Sequence, residues 1–151
     1  MLVLTFRVGP TPYAVPVRQV VEVVPRVALR PVPHSPPCVP GLLHYRGAAV
    51  PVIDLGILLG GSPCADRLDT RILLVQGEVG GSAAGRIGLL AEQVNDLVVV
   101  ADDRLAMPAP KIPHAPYLGR VFETEGGLLQ LIDPDRIALT EVAEAARRVE
   151  S

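Results

Sequence analysis

From Leu2 to Val8 the chain alternates, with Leu2, Leu4, Phe6 and Val8 on one face and Val3, Thr5 and Arg7 on the other. A period of two predicts a strand with one packed side. Gly9-Pro10-Thr11-Pro12 reads as a turn, and Tyr13 to Val17 as the returning strand. A helical turn at Arg18-Gln19 then leads into a β-branched strand over Val20 to Val24. Pro25 to Pro40 holds too many prolines for a helix or a central strand, and is expected to cross the surface as a stiffened loop. Gly41 to Leu55 predicts a tight hairpin. Leu43 and Tyr45 alternate with Leu42 and His44, Arg46-Gly47 forms the turn, and Val50, Val52 and Leu55 alternate with Pro51 and Ile53. Pro51 donates no ladder bond, which places it at an edge or a bulge.

The second half follows the same grammar. Gly56 to Leu59 predicts a helical turn and Gly60 to Asp69 a polar connection. Arg71 to Gln76 is a strand, Gly77 to Gly85 a hairpin loop, and Arg86 to Leu90 and Gln93 to Val100 two further strands. Ala101 to Pro116 is proline-rich loop, and Tyr117 to Glu123 pairs with Leu128 to Asp133 around Glu125-Gly126-Gly127. A helical turn begins at Asp133-Pro134-Asp135. Thr140 caps a last helix, Glu141 to Val149, with acidic residues early and Arg147-Arg148 late, as the helix dipole prefers.

These elements repeat. YAVPVRQVVEVV from Tyr13 to Val24 aligns without gaps on IGLLAEQVNDLV from Ile87 to Val98, matching Gln19 with Gln93, Val20 with Val94 and Glu22 with Asp96. A proline-rich loop follows each copy, PHSP from Pro33 echoing PHAP from Pro113, and each copy closes on Ile-Asp at Ile53-Asp54 and Ile132-Asp133. Short strands with Gly/Pro turns imply a sandwich or barrel, whose closure protects strand edges. The expected fold is all-β: two five-stranded barrels related by internal duplication, with short helical turns and a C-terminal helix. A single domain spans 1–151, divided into subdomains at about 1–62 and 70–139 with the helix at about 140–150.

Composition adds little to this. The 151 residues suffice for one domain, and 49% hydrophobic with 20% charged residues argues against disorder. A formal net charge of -2 and the absence of Trp give no reason to expect nucleic acid or an anionic membrane. Cys38 and Cys64 lie in no metal-type spacing, and two free thiols in a reducing compartment is the simpler reading. The start of the chain does not read as a leader and no long apolar run is present, so a soluble cytoplasmic protein is expected.

Candidate chemistry is thin. His34 and His114 occupy matching loops, which implies shared ancestry rather than a joint metal site, and His44 reads as a strand residue. Asp54 and Asp133 each end the last strand of a repeat, where turn or capping hydrogen bonds account for them without a catalytic pair. Gly80 to Gly85 lacks the Lys-Ser/Thr of a phosphate loop and opens a strand instead of a helix. No Gly-x-Ser-x-Gly elbow is present. The expectation is no enzyme, no cofactor and no metal. Arg46, a cation at the tip of an apolar hairpin, is displayed to solvent; the plainer reading is a solvated turn residue.

Leu2 to Leu139 resembles the CheW family of chemotaxis coupling proteins. Pro40-Gly41-Leu42-Leu43-His44-Tyr45-Arg46-Gly47, then Val50-Pro51-Val52-Ile53-Asp54-Leu55, is similar to that family's Gly-Val-x-Asn-Leu-Arg-Gly followed by Val-Pro-Val-x-Asp-Leu. Val20-x-Glu22-Val23, Thr70 to Val75 and Ile87 to Glu92 resemble further family segments. His44-Tyr45 stands where Asn-Leu is usual, and Ala91-Glu92 where Val-Asp is common. The resemblance implies two SH3-like barrels. It further implies a non-catalytic adaptor bridging the regulatory domain of a CheA-type histidine kinase to the cytoplasmic tip of chemoreceptors. The array then sits at the membrane only through its partners. Matching kinase-coupling positions are Glu22, Gly41 and Arg46; matching receptor-groove positions are Val17, Val20, Ile72, Gly88 and Leu97. The departures leave open a second pathway, such as surface sensing or twitching motility, for the same fold.

Overall fold

The computed structural model describes residues 1–76 and 86–137, apart from the side chain of Asn95. The loop expected over Gly77 to Gly85, and the helix expected over Glu141 to Val149 with its Thr140 cap, lie outside the described residues.

Strand β1 (Leu2–Val8) turns at Gly9 and returns as β2 (Thr11–Pro16), with Val8 opposite Thr11 and Val3 opposite Pro16. A single 3-10 turn over Val17–Gln19 carries the chain into β3 (Val20–Pro25). The proline-rich segment lies across β4 (Gly41–Tyr45), with reciprocal backbone bonds between Arg30 and Leu42. β4 and β5 (Ala48–Asp54) form the expected hairpin, in which Tyr45 faces Ala48. A wide helical turn at Gly56–Gly60 leads towards β6 (Arg71–Gln76) and then β7 (Arg86–Val99). A 3-10 turn at Asp102–Arg104 opens β8 (Leu105–Met107), and β9 (Leu118–Thr124) pairs with β10 (Gly127–Ile132) before the short α1 (Pro134–Ile137).

Two differences from the sequence reading matter. The strands expected at Arg86 to Leu90 and Gln93 to Val100 are one strand, β7, bent where Gln93 takes φ 48°. Within the segment expected to be loop, Leu105–Met107 pairs with β9.

β7 belongs to both sheets. Its first half is antiparallel to β6, Arg71 facing Ala91 and Gln76 facing Arg86. Its second half is antiparallel to β1, from Leu4 opposite Leu97 to Leu2 opposite Val99. The first repeat crosses in the same way: β2 pairs with β1, whereas β3, after the turn at Val17–Gln19, pairs with β6. One sheet therefore holds β1, β2, the second half of β7, β10, β9 and β8. The other holds β3, β6, the first half of β7, β5 and β4. The division expected near residues 62 and 70 separates the sequence repeats; each sheet takes strands from both.

The duplication is visible in matching contacts. β5 runs parallel to β7 with Val52 opposite Gly88, and β10 runs parallel to β2 with Leu131 opposite Ala14. Asp54 donates its backbone N–H to the Cys38 carbonyl at 2.7 Å, and Asp133 donates its own to the Tyr117 carbonyl at 2.8 Å.

Alternating side chains make three cores. Ile72 and Leu74 of β6 point into one barrel with Leu43, Val50, Val52 and Leu90. Val3 of β1 and Ala14 of β2 point into the other with Phe122, Leu129 and Leu131. The opposite faces meet between the barrels, where Leu4, Phe6 and Val8 of β1 join Leu73 and Val75 of β6 and Ile87 and Leu89 of β7. β6 is thus buried on both sides and β1 gives Val3 to one barrel and Leu4, Phe6 and Val8 to the seam, so neither barrel is complete without the other.

Candidate functional site

Arg46 and Gly47 form a two-residue loop in which both residues have positive φ, 49° and 82°. That conformation matches the twist of the flanking strands. Gly47 adopts it freely, whereas an arginine there costs about 1 kcal/mol. The guanidinium lies 5.3 Å from the centre of the Tyr45 ring and 3.4 Å from Glu22 Oε1. The Tyr45 hydroxyl donates to the same Oε1 at 3.0 Å.

These three side chains join elements that share no backbone ladder: Glu22 lies on β3, which pairs with β6, whereas Tyr45 and Arg46 lie on the β4–β5 hairpin. Strand alternation puts Glu22 on the half-buried face of β3 with Val20 and Val24. Arg46 remains 75% exposed and Glu22 40%. An ion pair so exposed contributes at most about 1 kcal/mol. That is the size of the backbone cost at Arg46, so the cluster adds little net stability. What it does is hold a cation in one orientation above the surface.

Gly41 belongs to the opposite end of β4. A Cβ there would stand 2.4 Å from the carbonyl oxygen of Arg30, so glycine is what lets the proline-rich segment close on the hairpin base. The kinase-coupling residues expected from sequence therefore separate into a displayed pair, Glu22 and Arg46, and a buried packing glycine. Tyr45 completes the pair and was expected only as an alternating strand residue; a tyrosine beside an arginine at a hairpin tip is the signal that points to it.

The expected receptor-groove residues also divide. Val17 and Val20 are half-buried at the first crossing between sheets and pack against the central core. Leu97 is 63% exposed just beyond the second crossing. Ile72 is fully buried, and Gly88 is buried against it: a Cβ on Gly88 would meet Ile72 Cγ2 at 2.9 Å and Val52 Cγ2 at 3.1 Å. Neither Ile72 nor Gly88 presents a surface: both belong to the interior of the barrel that holds Leu43, Val50 and Val52, whereas Val17 and Val20 pack on the central core.

Asp54, 4% exposed, accepts from the backbone N–H groups of Gly56, Ile57 and Cys64 at 2.8–3.3 Å. Asp133 accepts from the Asp135 N–H at 3.2 Å and pairs with Arg136 at 3.5 Å. Both aspartates serve turns, as their positions imply. Cys38 and Cys64 are buried free thiols. Burial, reinforced by the Asp54 carboxylate, pushes the Cys64 thiol up to about 12. It stays protonated at neutral pH and is a poor nucleophile. His34, His44 and His114 are all exposed, and no three metal-ligating side chains gather among the described residues. No helix of the described residues is long and apolar enough to cross a membrane.

The class of protein is set by the fold: two interlocked SH3-like barrels that share strands across a common core. Residues 2–141 match the CheW-like domain, and the chain belongs to that family. It is similar to the chemotaxis protein CheW of Rhizobium meliloti, 29% identical over 95% of this chain and 90% of that one. A probable chemotaxis protein CheW of Rhizobium etli is 32% identical over 98% and 88%. The crystal structure of the scaffolding protein TtCheW from Thermoanaerobacter tengcongensis has the same fold, with a TM-score of 0.76 over 89% of this chain and 84% of that one at 21% identity. Membership of the CheW family places the chain in chemotaxis signalling as a scaffold.

Proposed function

We propose that this protein couples chemoreceptors to a CheA-type histidine kinase, with the Glu22–Tyr45–Arg46 cluster facing the kinase regulatory domain. One observation carries this: the chain spends backbone strain to hold an exposed arginine in a fixed pose, for no net gain in its own stability. A preorganised arginine beside an aromatic ring is the usual make-up of an interface hot spot. Gly41 supports the surface by seating the hairpin base. On the receptor side, an apolar helix face lies across Val17, Val20 and Leu97, with Ile72 and Gly88 acting only indirectly, by packing the barrel interior. The protein works in the cytoplasm and reaches the membrane through its receptors. A surface-sensing or twitching pathway would use the same surfaces with another receptor and kinase.

The test is Arg46→Glu. The variant is expected to keep its thermal midpoint and to lose about 2 kcal/mol of affinity for the kinase regulatory domain, with receptor-dependent phosphorylation falling in step. Unchanged pull-down together with unchanged phosphorylation would refute the assignment.

A further inference from the structure

An open cleft of about 710 Å³ lies on the barrel built from both chain ends, between the 3-10 turn after β2, the proline loop before β9, and the start of α1. Its charge runs against that of the whole chain. Arg18, Lys111, Arg120 and Arg136 line it against only Asp133 and Asp135, while the full sequence carries -2. Both carboxylates are engaged: Asp133 holds Arg136 at 3.5 Å, and Asp135 accepts from the Gln19 side-chain amide at 3.3 Å. Arg18, Lys111 and Arg120 make no ion pair among the described residues. Arg120 is held in place over the Phe122 ring at 5.2 Å.

The floor is apolar, with Ile112 and Leu118 half-exposed above the buried Leu131 and Ile132. Pro110, Pro113 and Pro116 stiffen one wall, so the cleft need not be ordered at the moment of binding. Four cations against two carboxylates leave an excess of two positive charges around an apolar trough, which suits a ligand with several carboxylates and intervening apolar side chains.

We propose that this cleft docks an acidic, extended peptide segment of a partner protein, whose carboxylates meet Arg18, Lys111 and Arg120 and whose apolar residues rest on Ile112 and Leu118. A concave trough suits a peptide better than a flat bilayer. Lys111, Ile112, Leu118 and Arg120 belong to neither the kinase nor the receptor contact, whereas Arg18 shares the turn of Val17 and Val20, so the response over residues 109–120 is what separates this reading from the receptor one.

The probe is a fluorescein-labelled twelve-residue peptide alternating Glu and Leu, with a Gln-for-Glu control, titrated into the full chain by fluorescence anisotropy and by amide NMR. The expected result is saturable binding of the Glu peptide that weakens with salt, with shifts centred on residues 18–19 and 109–120. The doubly neutralised variant Arg18→Gln/Lys111→Gln should bind at least about tenfold more weakly, a loss of about 1.4 kcal/mol, while Arg46→Glu binds as the parent does. A circular dichroism melt checks that each variant folds, and Arg120→Lys, which keeps the charge, should retain binding. Equal binding of the Gln control, shifts elsewhere, or indifference to Arg18 and Lys111 would overturn the proposal. So would tighter capture by phosphatidylglycerol vesicles than by the peptide, which would make the cleft a lipid site.

Discussion

Glu22 receives two donors on one oxygen, and the two are not equivalent. The Tyr45 hydroxyl at 3.0 Å is the shorter contact; the Arg46 guanidinium at 3.4 Å is longer and more exposed. Tyr45→Phe keeps the ring under Arg46 and removes only the hydroxyl. It should cost no more than about 1 kcal/mol in a denaturant melt yet weaken kinase binding, because Glu22 then loses the contact that orients it. A melt shifted much further than that would mean the hydroxyl is structural. Cys64 gives a second residue-level expectation. In the unfolded chain its thiol ionises near 9, and in the folded protein near 12. Stability should be intact below pH 9 and decline as pH rises between the two values. Urea melts at pH 7 and pH 10 test this, and Cys64→Ala should narrow the gap between them. Glu22 and Arg46 could be singled out in the sequence as lone charges in apolar surroundings. Their contact could not, because it spans 24 residues and depends on how the hairpin folds back on β3.

Hairpins and turns were legible because each carries its own punctuation: Gly9-Pro10, Arg46-Gly47 and Gly126-Gly127 each stand between alternating runs. The continuity of β7 was not. The side chains that reach the central core are odd at Ile87, Leu89 and Ala91 and then even at Val94, so the period-two pattern slips by one around Gln93. A slip of that kind reads equally as a loop or as a bulge, and only the partner strands decide. β8 was missed because all three of its side chains are exposed and leave no alternation to read. The glycines give element-scale predictions. Gly41→Ala drives a Cβ into the Arg30 backbone, which cannot move without breaking the Arg30–Leu42 bridge, so a loss of about 3 kcal/mol is expected. Gly88→Ala presses only on side-chain methyls of Ile72 and Val52 and should cost less, about 1–2 kcal/mol. Equal midpoints for the two variants in thermal melts would contradict this ordering.

The repeats were readable end to end, but their interlocking was not, since a gapless alignment is silent about which strand pairs with which. The central core that joins the barrels is the larger one, and Leu73 is fully buried in it. Leu73→Ala should therefore cost about 2–5 kcal/mol and leave one cooperative transition, not two. Separate transitions for the two barrels in calorimetry would show that they are independent. A fragment of residues 1–62 should stay unfolded on its own, with a collapsed amide NMR spectrum, because β3 is without β6 and β1 is without β7.

That exchange of strands also sets a timetable for synthesis. β2 is made long before β10, its parallel partner and one of the last described strands. Leu4, Phe6 and Val8 find their cover once β6 and β7 are made, whereas Val3 and Ala14 wait for Phe122, Leu129 and Leu131. The core around Val3 and Ala14 therefore closes later than the core between the barrels, and that interval is when its apolar side chains are open to aggregation.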